Sequence, residues 1–353
     1  MEQQPPRMHV PPGSSFGPPG APKQKKSSSG CMSPLGCLLS ASLVFNLVLL
    51  VIVSATSSTK SNKRGRYEEA WVSGKGANKI AMIQVDGTIT GRPTSYSDTA
   101  SARILVKQLR RARRDASVKG VFIEINSPGG SVTASDKIYQ AMVKLRKSKK
   151  PIVLLMGDTC ASGCVYMGVP ANKVYAHPTT ITGSIGVIIS TLNFSKMMEK
   201  IGIQGVTIAS KENKALLSPY APVQESHKKI LKDIVDEMHT RFVGIVAKWR
   251  KLPTKEVSAF ADGRVFSAKQ AKKLKLIDGI SYRQQALKSL LKLAGLKNAR
   301  YVRYKRQVNF FDLFKSYAKL PAELKKSRKI SIDTMLDWTT PKAYYLWHPT
   351  SSK

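Results

Sequence analysis

Two apolar strands, each running into a glycine-rich turn, constrain this chain more than any other feature. Gly120–Ile125 (GVFIEI) ends in Asn126-Ser127-Pro128-Gly129-Gly130. Ile152–Met156 leads into GDTCASGCVYMG, which frames Ser162. Downstream lies Ile181-Thr182-Gly183-Ser184-Ile185-Gly186. An oxyanion hole needs two backbone N–H groups aimed at one point, and glycine lets backbone approach that closely. Helical patterns alternate with strands around these turns. Lys79–Asp86 reads as a strand, 102–114 as a helix with Ile104, Leu105 and Leu109 inward, and 138–145 as a second helix. A helix starts near Ser162, and strands follow over Lys173–Ala176 and Ile185–Ile189. This β-α-β-α order predicts an α/β fold with a mainly parallel sheet. His227–Leu252 reads as a long amphipathic helix with Ile230, Ile234, Val235, Met238, Phe242, Ile245 and Val246 on its apolar face. Residues 261–280 read as turn, helix, turn.

The flanks differ in composition. Residues 1–34 are rich in Pro, Gly, Gln and Ser, cannot bury a core, and are expected to be disordered. Residues 35–55 are apolar or small and uncharged, long enough to span a bilayer as a single transmembrane helix. A cleaved signal peptide is the rival, with Val53-Ser54-Ala55 as its cleavage site. A basic linker is expected over 56–78, the folded domain over 79–295, and a basic, aromatic-dotted extension over 296–353.

The formal net charge of +36 is spread along the whole chain. It suits an anionic membrane surface or a generally basic proteome. No RRM, zinc-finger or helix-turn-helix pattern accompanies it, so no specific nucleic-acid partner is expected. The four cysteines, Cys31, Cys37, Cys160 and Cys164, have neither zinc-site spacing nor the number of a disulfide scaffold. Cys160 and Cys164 straddle Ser162 and read as small buried side chains packing a tight turn, with a redox-sensitive thiol as the sharper alternative.

Ser162 could be a nucleophile or simply a helix N-cap. As a nucleophile it needs a base. Of the five histidines, His177 alone lies near the strand ends, and its place suits a loop residue. The G-x-S-x-G elbow is absent. A lysine can serve if its amine is neutral at working pH, which requires burial or nearby positive charge. In this lysine-rich chain a lone lysine carries almost no information and reads by default as a solvated surface residue, so Lys211 and Lys214 become candidates only through a family resemblance.

The strings Asn126–Gly130, Ala161-Ser162-Gly163, Thr182-Gly183-Ser184-Ile185-Gly186-Val187, Ser218-Pro219 and Ala261-Asp262-Gly263-Arg264-Val265 occur in the order and spacing that resemble the signal peptide peptidase A family, membrane-anchored Ser/Lys peptidases of bacteria. The resemblance spans roughly residues 80–291. It implies a Clp/crotonase-like fold, with Ser162 as nucleophile and Lys214, not Lys211, as general base. It further implies Ser184 as the hydroxyl supporting that lysine, and Gly129 or Gly130 with Gly163 as the oxyanion hole. No metal or organic cofactor is implied. The implied partners are peptides, among them residual signal peptides, membrane lipid, and further copies of the chain in a homo-oligomeric ring whose sites are shared between neighbours. The implied location is the bacterial cytoplasmic membrane, crossed once, with the peptidase domain outside. Cys160 and Cys164 depart from the family's usual residues. Three rivals stand beside this: a Ser-His-Asp peptidase of Clp type, an acyl-CoA enzyme of crotonase type, and a non-enzymatic membrane scaffold.

Overall fold

The computed structural model describes residues 41–51, 67–93, 100–306 and 342–346. The chain divides into two units, Met1–Arg64 and Gly65–Lys353. In the first, residues 41–51 form a helix, α1, with exposed side chains. No helix among the described residues is long and apolar enough to cross a membrane. The arm 1–34 and the ends of the apolar run 35–55 lie outside the described residues.

The second unit opens with β1 (Tyr67–Ser73) and β2 (Lys79–Asp86), then α2 (Ala102–Arg114), β3 (Val118–Ser127), β4 (Gly129–Ser131) and α3 (Val132–Lys147). Next come β5 (Ile152–Ala161), α4 (Gly163–Gly168), β6 (Lys173–Ala176), β7 (Ile181–Gly183), β8 (Ile188–Ser190) and α5 (Ser195–Lys200). A 3-10 turn over Glu212–Ala215 precedes α6 (Glu225–Arg250), α7 (Thr254–Ser258), β9 (Val265–Ser267) and α8 (Ala268–Lys273). β10 (Gly279–Ile280), α9 (Arg283–Leu293), β11 (Arg300–Arg306) and β12 (Lys342–Leu346) complete the order.

The main sheet runs β1-β11-β2-β3-β5-β6-β10, with β7 joining β5 and β9. Pairing is parallel from β11 through β10, as the alternation predicts, and antiparallel at β1–β11 and β7–β9. The central strands are apolar on both sides because both faces are covered. One face packs Val121, Ile123, Leu154 and Met156 with residues of α2, α3, α4 and α6. The other packs Phe122, Val153 and Leu155 under Ala286 and Leu290 of α9.

The structure departs from the sequence reading in four places. β1 lies inside the stretch read as linker, where it pairs antiparallel with β11 of the basic extension. Of the strand expected over Ile185–Ile189, only Ile188 and Ile189 are strand, as the start of β8, and residues 184–187 separate β8 from β7. Gly183 and Ser184 take positive φ values of 90° and 49°, which ends extended geometry between them. Residues 261–280 include two short strands, β9 and β10, beside the expected helix. Finally, only the second half of α6 is core. Phe242, Ile245 and Val246 are buried, whereas Ile230 and Ile234 are exposed.

β4 and β8 do not join the main sheet. They flank β12 in a second, three-stranded sheet, antiparallel on both sides.

Candidate active site

β5 is the longest strand of the parallel sheet with β3, and it carries the chain past the sheet edge to Ala161. Ser162 then turns into α4 with φ 54° and ψ −113°. A serine at positive φ runs against its local preference by roughly 1–3 kcal/mol and persists only where its surroundings impose it. Here the Ser162 N–H donates to the Gly183 carbonyl at 2.8 Å, and the Ser162 carbonyl accepts from the Tyr166 N–H at 3.0 Å. Ser162 occupies the N-cap position of α4, but its side chain makes no capping bond. Its Oγ is buried and has no hydrogen-bond partner among the described residues. An ordinary cap would use that hydroxyl. Leaving a buried hydroxyl unpaired costs about 1–3 kcal/mol. The residue is therefore held for something other than helix capping.

The glycine turn lies alongside. Gly129 has φ 102°, and a Cβ there would fall 2.8 Å from the Gly163 nitrogen and 2.1 Å from the Tyr345 carbonyl oxygen. A Cβ on Gly163 would fall 3.2 Å from the Gly130 nitrogen and 3.2 Å from the same Tyr345 oxygen. No side chain fits there, so the nitrogens of Gly130 and Gly163 come together beside Ser162 with a peptide carbonyl against them. That carbonyl belongs to β12, in register with Gly130 at Tyr345 and with Ile189 at Ala343. The Tyr345 side chain is fully buried. Its ring stacks on Tyr166 at 4.8 Å and lies 4.8 Å from Phe242, and its hydroxyl donates to the Met238 carbonyl at 3.2 Å.

α4 is anchored from below. Tyr166 donates to Asp136 at 2.7 Å and accepts from Arg241 Nε at 3.0 Å, and Arg241 also pairs with Asp136 at 2.7 Å. Burial, then the bond to Asp136, pushes the Tyr166 phenol well above its ordinary range, so it stays a neutral donor. Sequence reading missed this network because its members are more than 100 residues apart at the extremes. Asp136, Tyr166 and Arg241 carry no local spacing signal.

Cys160 and Cys164 are a disulfide. They are buried, as expected, but the free-thiol reading is corrected. The strand-to-helix turn at Ser162 brings their Cα atoms to 5.2 Å, within bonding reach. A spacing of four residues across a turn is not a pattern that sequence alone identifies as bonded.

Ser184 is nearly buried beside this turn, and its N–H donates to the Arg264 carbonyl at 2.8 Å. Lys214 is exposed on the 3-10 turn, and Lys211 is exposed just before it. With the Ser162 Oγ unpartnered, neither lysine is bonded to it within one chain. His177 is not bonded to it either. Its Nδ1 contacts Thr179 Oγ1 at 2.9 Å, and its ring meets Tyr282 edge-on. It lines a cavity of about 700 Å³ with Asp86, Glu124, Asp158 and Arg283. Ser162 does not line that cavity. The groove beside Ser162 holds β12 instead.

Comparison with known proteins agrees with this geometry. The chain matches Peptidase family S49 over residues 144–297 and Clp protease over residues 87–182. It is 37% identical over 247 residues to an Enterococcus faecium protein named for signal peptide peptidase SppA, covering 69% of this chain and 72% of that one. It is 36% identical over 272 residues to a protease of Methanocaldococcus jannaschii, covering 76% and 86%. It is 32% identical over 216 residues to the chloroplastic serine protease SPPA of Arabidopsis thaliana, covering 60% and 32%.

Proposed function

The chain belongs to the signal peptide peptidase A family of serine peptidases, Peptidase family S49, and on that premise we propose that it cleaves extended peptides with a Ser162/Lys214 dyad completed by a second copy of itself. The observation that carries this is the buried, unpartnered Ser162 hydroxyl at a strained turn, with the Gly130 and Gly163 nitrogens and a peptide strand beside it.

β12 marks the substrate path. A peptide adds as a strand between β4 and β8, so main-chain bonds supply affinity and the Tyr166–Phe242 pocket takes a side chain. Ser162 Oγ attacks the scissile carbonyl while its proton passes to the neutral amine of Lys214. The oxyanion accepts from the Gly163 N–H and from the Gly129–Gly130 turn. The lysine then protonates the leaving amine, and a water deprotonated by the same lysine releases the acyl group. Ser184 holds the lysine amine by its hydroxyl.

The neighbouring copy is invoked because Lys214 is exposed here, on a segment rich in uncovered apolar side chains. Met197 is 55% exposed, Ile201 61%, Val206 80% and Ile208 97%. Isolated exposed apolar residues are ordinary, but a continuous set marks a surface that another protein covers. A ring of identical subunits supplies that cover and delivers one copy's lysine to the next copy's serine.

Residues 35–55 act as a single membrane anchor in the bacterial cytoplasmic membrane, with the arm inside and the peptidase domain outside. The substrates are then membrane-proximal apolar peptides, residual signal peptides among them. The test is labelling with a serine-reactive phosphonate. The wild-type chain labels at Ser162 and Ser162→Ala does not. Absence of wild-type labelling, or continued labelling in the variant, contradicts the assignment. N-terminal sequencing of the chain from its native membrane checks the anchor, since a start near Thr56 means the segment is removed.

A further inference from the structure

We propose that the Cys160–Cys164 disulfide positions the nucleophile and the oxyanion N–H, so that opening it with a dithiol switches the peptidase down. The proposal rests on the serine-peptidase reading. The bond joins the residue before Ala161, near the end of β5, to the second residue of α4, with Ser162 midway between. The Ser162 side chain makes no bond that could hold its strained turn. Its backbone contributes only the links to Gly183 and Tyr166.

The disulfide closes the turn on both sides. Cys160 is fixed to the sheet, in register with Ser127 and Thr182, and its carbonyl accepts from Thr182 Oγ1 at 2.6 Å. Cys164 follows Gly163, whose nitrogen lies at the glycine pair. One covalent link therefore sets the serine Oγ and the Gly163 N–H relative to the glycine turn on β3–β4. The loop it closes is very short, so its contribution to global stability through chain entropy is small compared with a long-range crosslink. Its effect is local geometry, where misplacement by about 1 Å can cost on the order of 10²-fold in rate.

Both cysteines are fully buried. A reductant reaches them only when the turn opens. The bond is at home in an oxidising compartment, which agrees with a peptidase domain outside the cytoplasmic membrane. In the switching step a thiolate of the dithiol attacks one sulfur and forms a mixed disulfide. The second thiol of the reductant then displaces it. The reductant leaves as a disulfide, and Cys160 and Cys164 take up its two electrons and two protons as thiols.

The experiment uses the full-length chain in detergent, before and after dithiothreitol, with the state of Cys160 and Cys164 read by alkylation under denaturing conditions and peptide mass mapping. Expected are no alkylation of either cysteine in the isolated chain and, after verified reduction, a kcat at least about tenfold lower. KM and the thermal midpoint should be nearly unchanged, and reoxidation should restore kcat. The double variant Cys160→Ser/Cys164→Ser should match the reduced enzyme and ignore dithiothreitol. If that variant does not fold, the reductant titration of the wild type stands alone. Free thiols in the isolated chain, an unchanged kcat after verified reduction, or a kcat loss that follows a falling thermal midpoint each overturn the proposal. An oxidised chain that neither cleaves peptide nor takes phosphonate instead overturns the peptidase reading.

Discussion

The strands β2, β3, β5 and β6 and the segment from β8 to the 3-10 turn hold opposite ends of the proposed chemistry, and they are built differently. In the first, strands are buried on both faces, and Ser162 is placed by a ladder, a turn and a disulfide within one chain. In the second, α5 and the 3-10 turn bury no residue at all, and Lys214 stands in the open. A core can hold a residue in a costly conformation because many contacts oppose its relaxation. A surface segment cannot, unless another surface packs on it. On the proposed dyad, folding alone finishes the nucleophile, and the base would be finished only by assembly.

The largest expected effect tests the finished half. Ser162→Ala should lower kcat by about 10³-fold or more, typical of a lost nucleophile, while the thermal midpoint holds, because the hydroxyl makes no native bond. A midpoint that falls sharply would mean the hydroxyl is structural. Lys214→Ala should match it, with the double variant no worse, and Lys211→Ala should be mild. If Lys211 proves the essential one, the base has been placed three residues too late. A charge in the apolar surface, Ile208→Asp, should disperse the oligomer and cut activity by about tenfold or more. Light scattering and melting would separate this from damage to the core, whose midpoint should stay put. Truncation before Lys342 should lower KM for an added peptide several-fold by emptying the groove. An unchanged KM with lost stability would make β12 a packing element only.

The smallest effect lies in the sheet domain, away from both. Burial alone would raise the Asp115 carboxyl. Bonds from the Ser117 hydroxyl and N–H, with Lys79 nearby, outweigh it and hold the group at about 2. Its pKa is lower folded than unfolded, so its stabilisation is complete above about pH 4 and is lost as pH falls towards 2. It amounts to at most about 2 kcal/mol. Asp115→Asn should flatten that part of the acid unfolding curve.

The same contrast explains what the sequence could reveal. The parallel core was legible because double burial writes long apolar runs such as GVFIEI and PIVLLM between glycine turns. Ser162, Gly129, Gly130 and Gly163 were legible as neighbours because strand ends of one parallel sheet meet at one edge. The loss of strand over 184–187 was not, since Ile185–Ile189 has strand composition and only backbone angles, such as the positive φ at Ser184, mark the break. The exposure of Ile230 and Ile234 was also hidden. A helix face left exposed has the same periodicity as one packed into the core. β12 carried no signal of its own, because KAYYL says nothing of which strands receive it.

Subunit mixing tests the central claim most directly. Ser162→Ala and Lys214→Ala chains, each inactive alone, would be dissociated together, mixed in equal amounts and reassembled, and peptide turnover measured. If one copy's lysine serves another copy's serine, random neighbours give intact sites at about a quarter of positions, and activity returns to about that fraction of wild type. If the mixed assembly forms and stays as inactive as its parts, the base does not come from a neighbour, and the account of a site completed by assembly is contradicted.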